Sequence, residues 1–175
     1  SPLSGELADV GRVTLEAAHL DIGNINGIGG LDVQGQKTMV RLFVIDNKDT
    51  IEDSINAVRK AINQDRVQVI IGGQLSRNAI PMAKVAEDAK IPLITPGSTN
   101  PETTGGRKYI FRVSFIDPFQ GAVVARFAQE ELGAHRAAVL YDRASEYNRG
   151  LAISFKKAFE NLGGQVTAFE GYTTG

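Results

Sequence analysis

Two periodicities take turns along this chain. Short continuous apolar runs, VQVIIGG at 67–73, IPLIT at 91–95 and RAAVLYD at 136–142, are separated by stretches whose apolar residues recur at helical spacing. A short apolar run closed by glycine or a polar turn reads as a strand buried on both faces, whereas the helical spacing reads as an amphipathic helix. In chain order the pattern predicts a helix over residues 9–26, a glycine-rich loop NGIGGLDVQGQK, a strand over 38–46 and a helix over 50–64 capped by Thr50. The strand at 67–73 is followed by a helix containing residues 79–89. Pro81 fits only a first helical turn, which predicts an N-cap near Asn78 and leaves Ser76 in the preceding loop. Strands follow at 91–95 and 109–114, then a helix over 118–132 with Asp117 as N-cap, a strand at 136–142, a helix over 147–162 and a strand at 165–172. Such alternation predicts an α/β architecture with doubly wound, mainly parallel sheets.

Composition removes several function classes. The 175 residues suit about one domain, 42% are apolar and 22% charged, and the net charge is −1 with both signs mixed along the chain. No basic stripe is present, so nucleic acid is not an expected partner. Without cysteine there is no disulfide, thiolate nucleophile or cysteine-ligated metal. His19 and His135 have no partners at zinc or triad spacing. GIGGLD departs from a dinucleotide fingerprint because Asp32 occupies the last glycine position, and neither a phosphate-binding loop ending in Lys-Ser/Thr nor a G-x-S-x-G elbow occurs. No cofactor, no metal and no enzyme chemistry are expected.

Parallel α/β sheets bind ligands beyond the carboxyl ends of their strands. Polar segments fall there: PLSGELAD before the first helix, GGQLSRN after 67–73, PGSTNPETT after 91–95 and YDRASEYN after 136–142. Ser76, beside a helix N-terminus, can donate to a carboxylate. Thr99 offers both an N–H and a hydroxyl, while backbone carbonyls around Gly97, with Asp117, can accept from an ammonium. The set suits the two charged groups of an amino acid. The same residues also suit an ordinary strand exit, with Ser76 and Ser98 satisfying turns, Thr99 capping local backbone and Asp117 capping its helix. The residue types alone leave both readings open.

On these segments the chain resembles the type I periplasmic solute-binding proteins of the leucine/isoleucine/valine-binding family, which serve ABC transporters. The likeness is carried by PLSGELADVGR, VIDNKDTIEDSINAVRKAI, VIIGGQLS, IPLITPGSTNPETT and VLYDRASEYNRGLAISFKKAF, and covers essentially the whole chain. ITPGSTNP and the segment 147–151 are its most specific parts. The resemblance implies two α/β lobes joined by hinge strands, with a ligand trapped between them. It assigns residues 1–115 to the first lobe and 116–175 to the hinge and the start of the second, so that the chain is a fragment lacking the first strand and the C-terminal half. It places the ligand carboxylate on Ser76 and Thr99, and the amine on the backbone around Gly97 and Ser98 with the Thr99 hydroxyl. Asp117 then lies at the hinge side of the cleft, Tyr147 covers the ligand from the second lobe, and Gln74 and Leu75 line the wall. Val10 stands where relatives often carry an aromatic residue, which leaves side-chain specificity open. The implied partners are an amino acid or related carboxylate and the permease subunits of an ABC importer, in the periplasm or another extracytoplasmic space. The same fold also serves as the sensory or effector-binding domain of receptors and regulators.

Overall fold

The computed structural model describes residues 1–173, so the last two residues of the unit expected over 116–175 lie outside it. Helix α1 (Ala8–Gly27) leads to a two-stranded antiparallel hairpin, β1 (Leu31–Val33) and β2 (Gln36–Thr38). Its turn residues Gln34 and Gly35 both have positive φ, which matches the right-handed strand twist of a two-residue hairpin. This hairpin replaces the loop expected there. Only Thr38 of the expected strand 38–46 belongs to a strand. A strand requires a neighbour to take its N–H and C=O groups. Among the described residues the segment's partners are isolated: the Asn26 side chain donates to the Val40 carbonyl and accepts from Val40 N–H, and Ser1 donates from its amino group to the Ile45 carbonyl and accepts from Asn47 N–H.

Next come α2 (Ile51–Asn63), β3 (Ile70–Ile71), α3 (Ser76–Asp88), β4 (Leu93–Thr95), a 3-10 turn (Pro101–Thr103) and β5 (Ile110–Arg112). Thr50 caps α2 as expected, its hydroxyl accepting from Asp53 N–H at 3.0 Å. The three strands form a parallel sheet in the order β3-β4-β5, with Ile70 beside Leu93 and Ile94 beside Phe111. Val58 of α2 and Met82, Ala83 and Ala86 of α3 pack on Leu93 and Ile110 to form the core of one face. The alternate residues Ile71, Phe111 and Val113 are exposed. Apolar residues on both faces of a parallel sheet are the mark of a layer built to be covered twice.

Helix α3 departs from expectation. It begins at Ser76, and Pro81 lies in its interior. Proline cannot donate to the Arg77 carbonyl, a loss that ordinarily ends a helix. Here the first turn is anchored from outside: Asp49 accepts from Arg77 Nη2 at 2.5 Å and from Asn78 Nδ2 at 2.8 Å.

The chain continues through α4 (Asp117–Glu130), β6 (Arg136–Asp142), α5 (Glu146–Asn161) and β7 (Gln165–Tyr172). β6 and β7 form a separate parallel pair, and both keep the bounds expected from sequence. Asp117 is the first residue of α4; Ile116 holds the cap position. Helices α4 and α5 cross closely. A Cβ on Gly121 would lie 2.6 Å from the Phe155 nitrogen and 2.7 Å from the Ser154 carbonyl carbon, so only glycine permits this approach. Phe159 is fully buried beneath the pair.

Leu93 is a fully buried side chain on the central strand of the first sheet. Leu93→Ala in the intact protein is expected to lower unfolding free energy by about 2–5 kcal/mol, read as a lower urea midpoint at unchanged slope.

Candidate functional site

The chain leaves β4 through Pro96-Gly97-Ser98-Thr99-Asn100, and the fold gathers buried polar residues around this turn. Thr95 donates its hydroxyl to the Gly73 carbonyl at 2.6 Å and accepts from Ser98 N–H at 3.1 Å, pinning the loop to the end of β3. Ser98 Oγ donates to Ser76 Oγ at 2.9 Å and lies 2.7 Å from Thr103 Oγ1. A hydroxyl has one hydrogen. With that of Ser98 committed to Ser76, Thr103 must donate to Ser98, and the hydrogen of Ser76 remains available. Ser76 stands at the first turn of α3, where free backbone N–H groups and the positive end of the helix dipole favour a negative group.

On the other side the loop is held by its carbonyls. Arg112 Nη1 donates to Ser98 O at 3.1 Å and Asn100 O at 2.9 Å, its Nη2 donates to the Thr104 hydroxyl, and Ser114 Oγ donates to Ser98 O at 3.2 Å. Asp117 N–H donates to Thr99 O at 3.0 Å, tying the loop to α4.

Several buried acceptors are left without a donor: Thr99 Oγ1, both oxygens of Asp117, Gln74 Oε1 and Gln120 Oε1. Asp117 is completely buried. Burial pushes its carboxyl above the ordinary value; the nearby Thr99 hydroxyl and the Arg112 charge offset this only in part, and neither closes a hydrogen bond of ordinary geometry on it. Buried polar groups are ordinarily paired, so a group of orphan acceptors marks a place meant for a donor.

Residues 1–175 match a family model described as periplasmic binding protein. The chain belongs to that family. It is 31% identical to a leucine-, isoleucine-, valine-, threonine- and alanine-binding protein of Pseudomonas aeruginosa, over 99% of this chain and 45% of that protein. Among solved structures it is similar to a leucine-binding protein from Thermotoga maritima (37% identity, TM-score 0.85, 99% of this chain and 47% of that one). A branched-chain amino acid transporter substrate-binding protein from Streptococcus pneumoniae, solved with isoleucine, gives 29% identity and a TM-score of 0.85 over 99% of this chain and 48% of that one. The chain spans about half the length of the curated relatives it matches. Its architecture is the α/β fold of type I periplasmic binding proteins, a family of ligand binders and not of enzymes.

In this periplasmic binding protein, Ser76, Gly97, Ser98, Thr99 and Gln74 converge where the strands of the first sheet end. Gly97 is packed under Gln74, since a Cβ there would lie 2.7 Å from the Gln74 carbonyl oxygen. Leu75 is half-buried at the N-cap of α3, and its carbonyl accepts from Asn78 and Ala79. Tyr147 lies in the first turn of α5, half-buried, with its hydroxyl accepting from Gln120 Nε2 at 3.4 Å. Val10 is exposed. Sequence reasoning misses Arg112, Thr103, Asn100 and Gln120. Only Arg112 carries a legible signal: a charge two residues after the buried Ile110, hence on the same face of its strand. Among the described residues no cluster of histidine and acidic side chains suits a metal.

The raised carboxyl of Asp117 has a consequence for stability. A group whose folded value exceeds its unfolded value contributes most below the unfolded value, and that contribution is lost as pH rises through the folded one. The ordinary value here is 3.8. Asp117→Asn should therefore raise the melting temperature of the ligand-free protein at neutral pH, and the advantage should vanish below about pH 4. A parallel offset at all pH values would contradict this.

Proposed function

We propose that the protein is the extracytoplasmic solute-binding component of an ABC importer and holds an amino acid between two lobes, residues 1–115 and the unit that begins at 116. One observation carries the reading. The site pairs a free donor, the Ser76 hydroxyl at a helix N-terminus, with a set of buried acceptors lacking donors, Thr99 Oγ1 and both oxygens of Asp117. A zwitterion answers both needs, its carboxylate taking the Ser76 donor and its ammonium supplying three donors to the acceptors. A simple carboxylate would leave Asp117 unpaired beside a like charge. In this reading Ser76 and the Thr99 N–H hold the carboxylate. The Thr99 hydroxyl, backbone around Gly97 and Ser98, and Asp117 hold the ammonium. Gln74 and Leu75 line the wall, and Tyr147 covers the ligand from the second lobe. The names of the relatives, amino-acid-binding proteins and transporter components, support the same substrate class and an importer's permease as partner.

Loss of one charge-assisted hydrogen bond costs roughly 1.5–3 kcal/mol, about 10- to 150-fold in affinity. Ser76→Ala and Thr99→Ala in the intact protein should each weaken binding of leucine, isoleucine or valine by that order in calorimetry. Unchanged affinity in both variants would remove these residues from the site.

A further inference from the structure

The turn that carries the proposed ligand groups also reaches across to α5. Asn100 is buried and fixed at two points before its amide nitrogen is considered. Its carbonyl accepts from Arg112 at 2.9 Å, and its Oδ1 accepts from Glu102 N–H at 2.9 Å, capping the 3-10 turn. With the oxygen held there, Nδ2 points away from the first sheet and donates to the Glu146 carbonyl at 3.3 Å. Glu146 opens α5, the helix that follows the first strand of the second sheet.

The same place shows a second feature. Gly150, one helical turn beyond Glu146, faces this contact. A Cβ there would lie 2.8 Å from Asp117 Oδ2 and 3.2 Å from Asn100 Nδ2. Asp117 belongs to the same unit as Gly150, so the approach that crosses between the units is the one to Asn100. Glycine in a helix interior is otherwise disfavoured relative to alanine. Its presence inside α5 is explained by the approach it permits.

We propose that Asn100 and Gly150 form a latch between the two lobes that operates without ligand and sets the fraction of empty protein already closed. The proposal rests on the two-lobed reading above. Neither residue is assigned to the ligand; both act through closure, as positioning residues. A ligand that binds the closed form sees an affinity scaled by the fraction closed. Strengthening or weakening the hydrogen bond of Asn100 therefore changes apparent affinity without altering any ligand contact, and a latch of a single neutral hydrogen bond leaves opening easy enough for release.

The test measures distances between nitroxides placed at Lys84 on α3 and Lys157 on α5 of the intact protein, both exposed, in Asn100→Asp and Gly150→Ala. Asn100→Asp keeps the capping oxygen and removes the cross-lobe donor. Without ligand its closed-to-open ratio should fall by at least about 2- to 10-fold. Gly150→Ala should lower the ratio as well, by about 2- to 10-fold, through its crowding of Asn100 Nδ2, and should also lower the melting temperature, because its clash with Asp117 Oδ2 lies within one lobe and persists on opening. Leucine should restore the short distance in both, at higher concentration than in wild type. Ligand-free distributions identical to wild type in both variants would overturn the latch, as would a wild type with no closed population before leucine is added. If wild type fails to bind or close on leucine, the amino-acid assignment falls, and the ligand-free distributions still judge the latch by the same criteria.

Discussion

Arg112 reaches from β5 under the turn that follows β4 and takes the carbonyls of Ser98 and Asn100. The remaining chemistry of the cleft follows from that clamp. A loop at the end of a parallel strand has to place its carbonyls somewhere, and carbonyls aimed into a cleft would repel a carboxylate. With two of them held by a guanidinium, the loop presents hydroxyls instead. The charge needed for this is partly buried, and Asp117 is the nearby opposite charge that helps to keep it. Arginine suits the task better than lysine because its donors fork toward separate acceptors in fixed directions.

Direction matters as much as position in the hydroxyl chain. Thr103, Ser98 and Ser76 each hold one hydrogen; those of Thr103 and Ser98 run toward Ser76 at the head of α3, and that of Ser76 is left uncommitted. A short polar chain with both ends satisfied would be inert packing. This one ends in an open donor, and a few residues away the acceptors on Thr99 and Asp117 are equally open. The site is thus a separated pair of unmet needs, and the proposed zwitterionic ligand rests on that separation.

The parallel strands were legible in the sequence because a continuous apolar run closed by glycine or a polar turn suits little besides a buried strand; β6 and β7 are bounded as the pattern implied. The hairpin of β1 and β2 was not, since all six of its strand residues are exposed and it has no amphipathic alternation to detect. The extended segment 39–46 has the composition of a strand, yet pairing belongs to two segments together and the composition of one does not reveal it. Pro81 misled for a related reason. The cost of an interior proline is local and visible, whereas the Asp49 contacts that hold the first turn of α3 come from a distant loop. At the site, hydroxyls beside a strand end were readable by type. Asn100 was not, because its partner Glu146 lies 46 positions away.

The close crossing at Gly121 brings α4 against the backbone of α5 at Ser154 and Phe155, with no long side chain between them to act as a cushion. Long flexible side chains let packed helices slide; a glycine contact of this kind behaves more like a weld. Asp117 sits at the head of one helix and Tyr147 at the head of the other. The acid and the aromatic ring therefore travel as one rigid jaw, and if Tyr147 closes over a ligand as proposed, the buried charge arrives with it.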